Sequence, residues 1–479
     1  MSEQLDLLLF PIEIVVFCAL AFGIFKLKKK FPNLLFPCQG VTIYLSPDGE
    51  DLKESKDKKI KTLVQIKTIS SQAQHFQQVP FANDLEITML FIYMLFSQFV
   101  IVEIMKMIGS TLGYYVIDSG MLFYFDGIIV IMIIRNIFKA ATIGGYDSQQ
   151  TKMSIVICII SILITIFINL GFKDFLNINM RHEFQRLAVH LEIVFRTLIQ
   201  PGVWSFLGQF GDLFVIVLAL MVSIIIFCIL PILIRFGNCF TELKNNLTTT
   251  EKAQSKFFYL IAGQLIAHII YVALYIKPLI QNLNYVFHFQ FIAIMIIGLL
   301  QIMTYTLEMD KHMVKGYDWI LILKDQPEQQ DYVKRRVEGL LRGFVIVAYQ
   351  LLSKIAIPIL LFMILLLKNS QIPETNIRYN YLPANYELNE MYCVKEQIIM
   401  MDYLFEDKDD PIEDVGQDPS KIIMKRITKY GIFTKSFIYT FIEFILFNYY
   451  FISFVLSIFY IFFLNKTQSV KQTQKKKKQ

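Results

Sequence analysis

His268 and Lys354 each stand near the middle of an apolar run long enough to cross a bilayer. Glu13, Asp126 and Glu443 lie nearer one end of such runs, and Arg135 nearer the other. A charge at the bilayer centre costs at least about 2.5–3.5 kcal/mol on insertion scales, so these residues must face a bundle interior or water. Carboxyls, an imidazole and an amine are the groups that pass protons or hold a cation. Outer carboxylates feeding a central His268/Lys354 pair would form such a path. The plainer arrangement, pairing of Lys354 with Asp126 or Glu443 to fix the bundle, carries more weight. Glu13, Glu443 and Arg135 can also reach the interface by snorkelling. No other chemistry stands out. The six cysteines show no C-x-x-C or metal spacing. There is no H-E-x-x-H or G-x-S-x-G, and Gly144-Gly145 lacks a phosphate-loop frame. No enzymatic activity, metal or cofactor is therefore expected.

The elements that must position these residues follow from composition. Of 479 residues, 55% are hydrophobic and 18% charged, where soluble chains average about 25% charged. That is too little charge to cover a soluble surface. It argues against a disulfide scaffold, a disordered chain and a nucleic-acid binder. The expected fold is all-α, a polytopic bundle of nine transmembrane helices with interfacial amphipathic helices, in one integral membrane domain. The nine runs are Leu7–Phe25, Leu85–Val102, Gly120–Phe138, Met153–Phe172, Leu213–Ile234, Phe257–Ile276, Val286–Tyr305, Gly343–Leu367 and Phe437–Leu464. Pro231, Pro278 and Pro358 fall in or beside three of them and are candidate breaks.

Charge placement sets the expected topology. Glu3 and Asp6 precede the first run, and Lys26, Lys28, Lys29 and Lys30 follow it. This is the pattern of an uncleaved span with its N-terminus outside or lumenal and, after nine spans, a cytoplasmic C-terminus. Lys and Arg then favour the inner side by about two to one, and by about five to one once the long loop 368–436 is set aside.

Four segments lie between or beyond the runs. Residues 26–84 are a basic cytoplasmic segment, in which Ser46-Pro47-Asp48-Gly49-Glu50 reads as a helix start. Residues 306–342 read as cytoplasmic amphipathic helices broken near Pro327, the second with a Val333, Val337, Leu340, Leu341, Phe344 stripe. Residues 181–199 form another amphipathic helix, expected flat at the outer interface. Loop 368–436 carries Asp407, Asp409, Asp410, Glu413, Asp414 and Asp418 without EF-hand spacing. In the tail 465–479, Lys475, Lys476, Lys477 and Lys478 would attract anionic lipid at about 1 kcal/mol each.

Several local patterns occur in the order found in one family. They are Cys38-Gln39-Gly40 with Pro47-Asp48-Gly49-Glu50-Asp51-Leu52, then Gly144-Gly145, then Pro231 with Arg235 and Glu242-Leu243. Lys277-Pro278 follows, then Arg336-Val337, Gln350 and Leu365-Leu366-Leu367-Lys368. In these, over roughly residues 30–370, the chain resembles the transmembrane protein 161 family. It departs from that pattern at Ile143 and Tyr146-Asp147-Ser148, where acidic residues usually flank the Gly-Gly turn, and Lys354 matches no family position. The resemblance implies a multi-pass membrane protein without catalytic activity, linked to ionic currents, and supplies no catalytic residues. The expected function is a regulator or scaffold that influences ion homeostasis through a membrane-protein partner, with segments 26–84 and 306–342 as contact surfaces. The alternative is an ion or proton transporter or channel using His268, Asp126 and Lys354.

Overall fold

The computed structural model describes residues 18–20, 22–24, 26–27, 41–44, 65–67, 87–90, 92–94, 97, 101, 128, 131–132, 135–136, 148–172, 175–195, 203–246, 252–280, 286–325, 327–371 and 435–478. These are almost wholly helical. We number the helices α1 (Ser148–Ile166), α2 (Met180–Phe195), α3 (Val203–Gly208), α4 (Gly211–Asn246), α5 (Lys252–Ala273), α6 (Lys277–Ile280), α7 (Val286–Asp325), α8 (Gln330–Gln371) and α9 (Lys435–Lys478). The first expected span is helical where it is described, at residues 18–20, 22–24 and 26–27. The Ser46–Glu50 helix start, the Gly144-Gly145 turn and the acidic loop lie outside the described residues.

The helices are inside out by the standard of a soluble protein. In α1, Ile155, Ile159, Leu163 and the following Phe167 are exposed, while Ile157, Ser161, Thr165 and Asn169 make the buried stripe. The polar side chains donate back down the helix. Ser161 Oγ donates to Ile157 O, Thr165 Oγ1 to Ser161 O and Asn169 Nδ2 to Thr165 O, each at 2.8 Å. Near its end the helix widens into a π-turn, Phe167–Gly171. The outer faces of α4, α5 and α7 are likewise apolar, with Val217, Ile224, Ile266, Ile270, Ile292 and Leu299 exposed. Apolar surface of this extent belongs against lipid rather than water.

By length and composition, His288–Asp310 in α7 and Phe437–Phe462 in α9 are able to cross a membrane. A third candidate is the pair Gly211–Phe227 and Ile232–Thr241 within α4, bent by 59°. Pro231 falls in the break, where its missing N–H removes a helix hydrogen bond. Three further apolar helices, Ile155–Gly171, Phe257–Ala273 and Gln350–Phe362, are shorter. Of the nine expected runs, the structure therefore gives two clear spans, or three with the bent pair.

Packing fixes relative directions. α4 and α9 run parallel: Phe214 lies 6.1 Å from Phe437 between ring centroids, and Gly237 abuts Tyr460. α5 runs antiparallel to α9, with Phe447 against Tyr275 and Tyr450 against His268. α7 and α8 form an antiparallel hairpin, in which Phe291 stacks on Phe362 and Gly298 abuts Ile359. The main core lies between α4, α5, α7, α8 and α9. At one end, α2 leans on it through Phe184, stacked on Phe214 at 4.3 Å. There Asn177 N donates to Tyr275 O and Lys277 N to Phe175 O, tying the α1–α2 connection across the end of α5.

A second core forms where α7 and α8 continue past the bundle. Met309, Met313 and Ile320 of α7 meet Val333, Val337 and Phe344 of α8, and the turn between the helices is a short 3-10 segment, Pro327–Gln329. Against them packs β1 (Thr42–Tyr44), paired antiparallel with β2 (Gln65–Lys67). Val41 and Ile43 are fully buried. Thr42 N donates to Asp310 Oδ1 at 2.9 Å, and Tyr44 packs on Tyr317. This ladder was not anticipated from the sequence, because three-residue strands carry too little alternation to register.

Candidate functional site: a buried polar seam

One face of α5 carries Gln264, His268 and Tyr271, and Tyr275 follows in the turn after the helix, at spacings of four, three and four residues. That spacing keeps them in a single row, and all four are buried. The opposite face, with Ile266, Ile269 and Ile270, is exposed. The polar side of the helix is thus the inner one, as a membrane bundle requires.

At the centre, His268 Nδ1 lies 2.6 Å from the Gln264 carbonyl oxygen. A carbonyl can only accept, so Nδ1 carries the hydrogen and Nε2 is the atom at which a proton can come and go. The imidazole meets the ring of Tyr450 edge-on, with centroids 5.3 Å apart. Lys354 of α8 is buried at the same level, since its carbonyl is held by Tyr449, the neighbour of Tyr450. Its Nζ stands 4.8 Å from the centre of the Phe236 ring, a cation–π contact. Tyr449 donates its hydroxyl to the Lys354 carbonyl at 3.3 Å, which fixes α8 against α9 at this level.

Toward the α2 end, Tyr450 packs on Tyr271 at 4.7 Å, and the Tyr271 and Tyr275 hydroxyls are 2.8 Å apart. Glu443 shares a hydrogen bond with Tyr439 and lies near Tyr271 and Tyr275. Toward the second core, Gln264 Nε2 donates to Leu300 O at 3.1 Å and to Thr304 Oγ1 at 2.7 Å. The Thr304 hydroxyl has three acceptors in reach: Leu300 O, Gln301 O and, at 3.4 Å, Glu308 Oε1. Glu308 is only 3% exposed. Beside the seam, Asn169 Nδ2 donates to Asn448 Oδ1 at 2.9 Å, joining α1 to α9.

His268 and Lys354 therefore come together, and Glu443 joins the same seam through the tyrosines. Glu443 does not pair with Lys354. Tyr449 marks the level of Lys354 on α9, and Glu443 is six residues earlier, about 9 Å along the helix. Arg135 is exposed. Asp126 and Glu13 lie outside the described residues, and with them the alternative Lys354–Asp126 pair. Pro358 is buried within α8 and Pro278 is exposed in α6. Sequence reasoning missed Gln264, Thr304, Glu308, Asn169, Asn448 and the tyrosines. The four-residue spacing of Gln264 and His268, and of Ser161, Thr165 and Asn169, was the available signal. Among the described residues no three His, Cys, Asp or Glu gather where a metal ion could be held.

No protein family, curated protein or solved structure matches this chain.

Proposed function

We propose that the chain is a non-enzymatic, multi-pass membrane protein that handles ions directly, by moving a small ion along the seam between α5, α7, α8 and α9. The observation that carries this is the burial of His268 and Lys354 at one level of α9, against the neighbouring Tyr450 and Tyr449, with no carboxylate in ion-pair range of Lys354 among the described residues. A bundle needing only cohesion gains little from a buried ammonium, because apolar packing at that place is as stable or more so. The proposal includes nine spans, the N-terminus outside and the C-terminus inside, on the basic-residue bias. It also includes kinship with the transmembrane protein 161 family, on the ordered motifs.

The test is ion and proton flux into liposomes carrying the purified protein, with His268→Ala and Asp126→Asn as comparisons. Flux in the parent protein that falls in His268→Ala supports direct transport. Absence of flux for every ion tried, from folded protein, removes it.

Regulation of ion handling through a membrane-protein partner is the second function, and the second core favours it. Segments 26–84 and 306–342 meet there in one body, through β1 on α7. The exposed Lys334, Arg335 and Arg336 of α8, beside the exposed Glu328, Asp331 and Glu338, give that body a charged outer face of mixed sign. Deleting residues 46–75 should then change the set of co-purifying membrane proteins, and an unchanged set counts against it.

A further inference from the structure

We propose that the seam is a proton relay with Glu443 and Glu308 as its two ends and His268 Nε2 as its central exchange atom. The proposal rests on direct transport and names the ion.

The groups lie in order along the bundle. Phe447 packs at Tyr275 and Tyr450 at His268, so Glu443, one turn before Phe447, lies beyond Tyr275. Gln264 bonds Thr304, and Leu307 packs against the cluster that holds Ile261, so Glu308 lies beyond the Gln264 end. The stretch of α5 between these levels, Ile261 to Ala273, rises roughly 18 Å.

Between them stand three hydrogen-bonded pairs. They are Glu443–Tyr439, Tyr271–Tyr275 and Thr304–Glu308, with Gln264 anchoring α5 to the last. His268 stands between the second pair and the third. Tyr271 and His268 share no hydrogen bond, and both rest on the Tyr450 ring. The relay requires water between the Glu443–Tyr439 and Tyr271–Tyr275 pairs, between Tyr271 and Nε2, and between Nε2 and Thr304. A proton entering at one carboxyl is passed by each hydroxyl, which accepts a hydrogen and donates its own. Nε2 takes the proton up and releases it, while Nδ1–H stays on the Gln264 carbonyl. The proton leaves at the other carboxyl, the hydroxyls rotate back, and nothing is oxidised or reduced.

The groups around His268 favour a proton over other ions. Facing it are Lys354 from α8, Tyr450 from α9, and Gln264 and Tyr271 from its own helix. A proton passed between hydroxyls and an imidazole moves by short hops and needs no cage of oxygens.

The test uses the full chain in liposomes loaded with a pH-sensitive dye and driven by a potassium diffusion potential. Proton entry should exceed that of empty liposomes. It should fall to the empty level in His268→Gln and Glu443→Gln, and by about tenfold or more in Tyr271→Phe. Tyr271→Phe removes a single oxygen, so it decides the matter if a bolder variant fails to fold. Proton entry that Tyr271→Phe leaves unchanged overturns the relay. Chloride, sodium or potassium flux without proton flux also overturns it, yet keeps direct transport. No flux of any ion overturns both.

Discussion

The contact between α4 and α9 makes a sharp prediction. A Cβ placed on Gly237 would meet Tyr460 Cβ at 3.0 Å and the backbone nitrogen of Ile461 at 3.5 Å. Neither neighbour is the free end of a flexible side chain, so Gly237→Ala must move one helix away from the other. Overpacking of this kind costs about 1–3 kcal/mol. Removing a mid-helix glycine returns about 0.5–1 kcal/mol of helix propensity, which leaves a net loss of roughly 0–2.5 kcal/mol. Two other glycines isolate the terms. A Cβ at Gly339 of α8 meets nothing within 4 Å, and one at Gly263 of α5 meets only Leu300 Cδ1 at 3.7 Å, ordinary contact. Both alanine variants should therefore be stabilised by about 0.5–1 kcal/mol. Unfolding by sodium dodecyl sulfate, followed by helicity in mixed micelles, should rank Gly339→Ala and Gly263→Ala above the parent and Gly237→Ala below it. If Gly237→Ala is as stable as Gly263→Ala, the close approach at Tyr460 is refuted, and with it the parallel α4–α9 pair.

Other consequences are independent of that contact. A double-mutant cycle with Asn169→Ala and Asn448→Ala should give a coupling of about 0.6 and at most about 1.7 kcal/mol, the range for hydrogen bonds between membrane helices; zero coupling would mean the pair does not form. Pro231→Ala restores a backbone donor at the 59° bend. Spin labels at the exposed Val217 and Lys244 should move apart, and an unchanged distance would assign the bend to packing alone. In α2, burial, with Arg186 adding, holds the His182 imidazole below its ordinary value. The unfolded chain then binds more protons, so stability is lost as pH falls below about 6.5. Thermal unfolding at pH 7.5 and 5.5 should differ by less in His182→Gln than in the parent.

What could be read from the sequence followed from how rare a residue is in its surroundings. His268 and Lys354 are conspicuous because ionisable groups are scarce in apolar runs. Tyr271, Tyr275 and Tyr450 are not, because the chain holds 24 tyrosines and 43 phenylalanines and an aromatic is its ordinary filler. Their place in the seam depends on which face of α5 turns inward, and that follows from packing with α9. The helical periods of α1 and α8 are legible because buried and exposed positions differ in chemistry: Ser161, Thr165 and Asn169 on one, Val333, Val337 and Phe344 on the other. The β1–β2 pair is held by burial of Val41 and Ile43 on α7, a long-range contact that local propensity does not encode.

The two cores share two helices, and this links the two proposed functions physically. α7 carries Thr304 and Glu308 in the seam and, immediately after, Met309, Asp310 and Met313 in the second core. Asp310 accepts from Thr42 only two positions from Glu308. α8 carries Phe344 and Leu351 in the second core and Lys354 in the seam. Both helices are continuous across the junction, so an axial shift or rotation imposed on the second core must displace Glu308 and Lys354 as well. Helix shifts of about 1–2 Å are the common size of such transitions. The Gln264–Thr304 hydrogen bond joins α5 to α7 at 2.7 Å, so a displacement of α7 of that size breaks it. On the functions proposed above, a partner bound at the charged face of α8 is thereby expected to change ion movement along the seam.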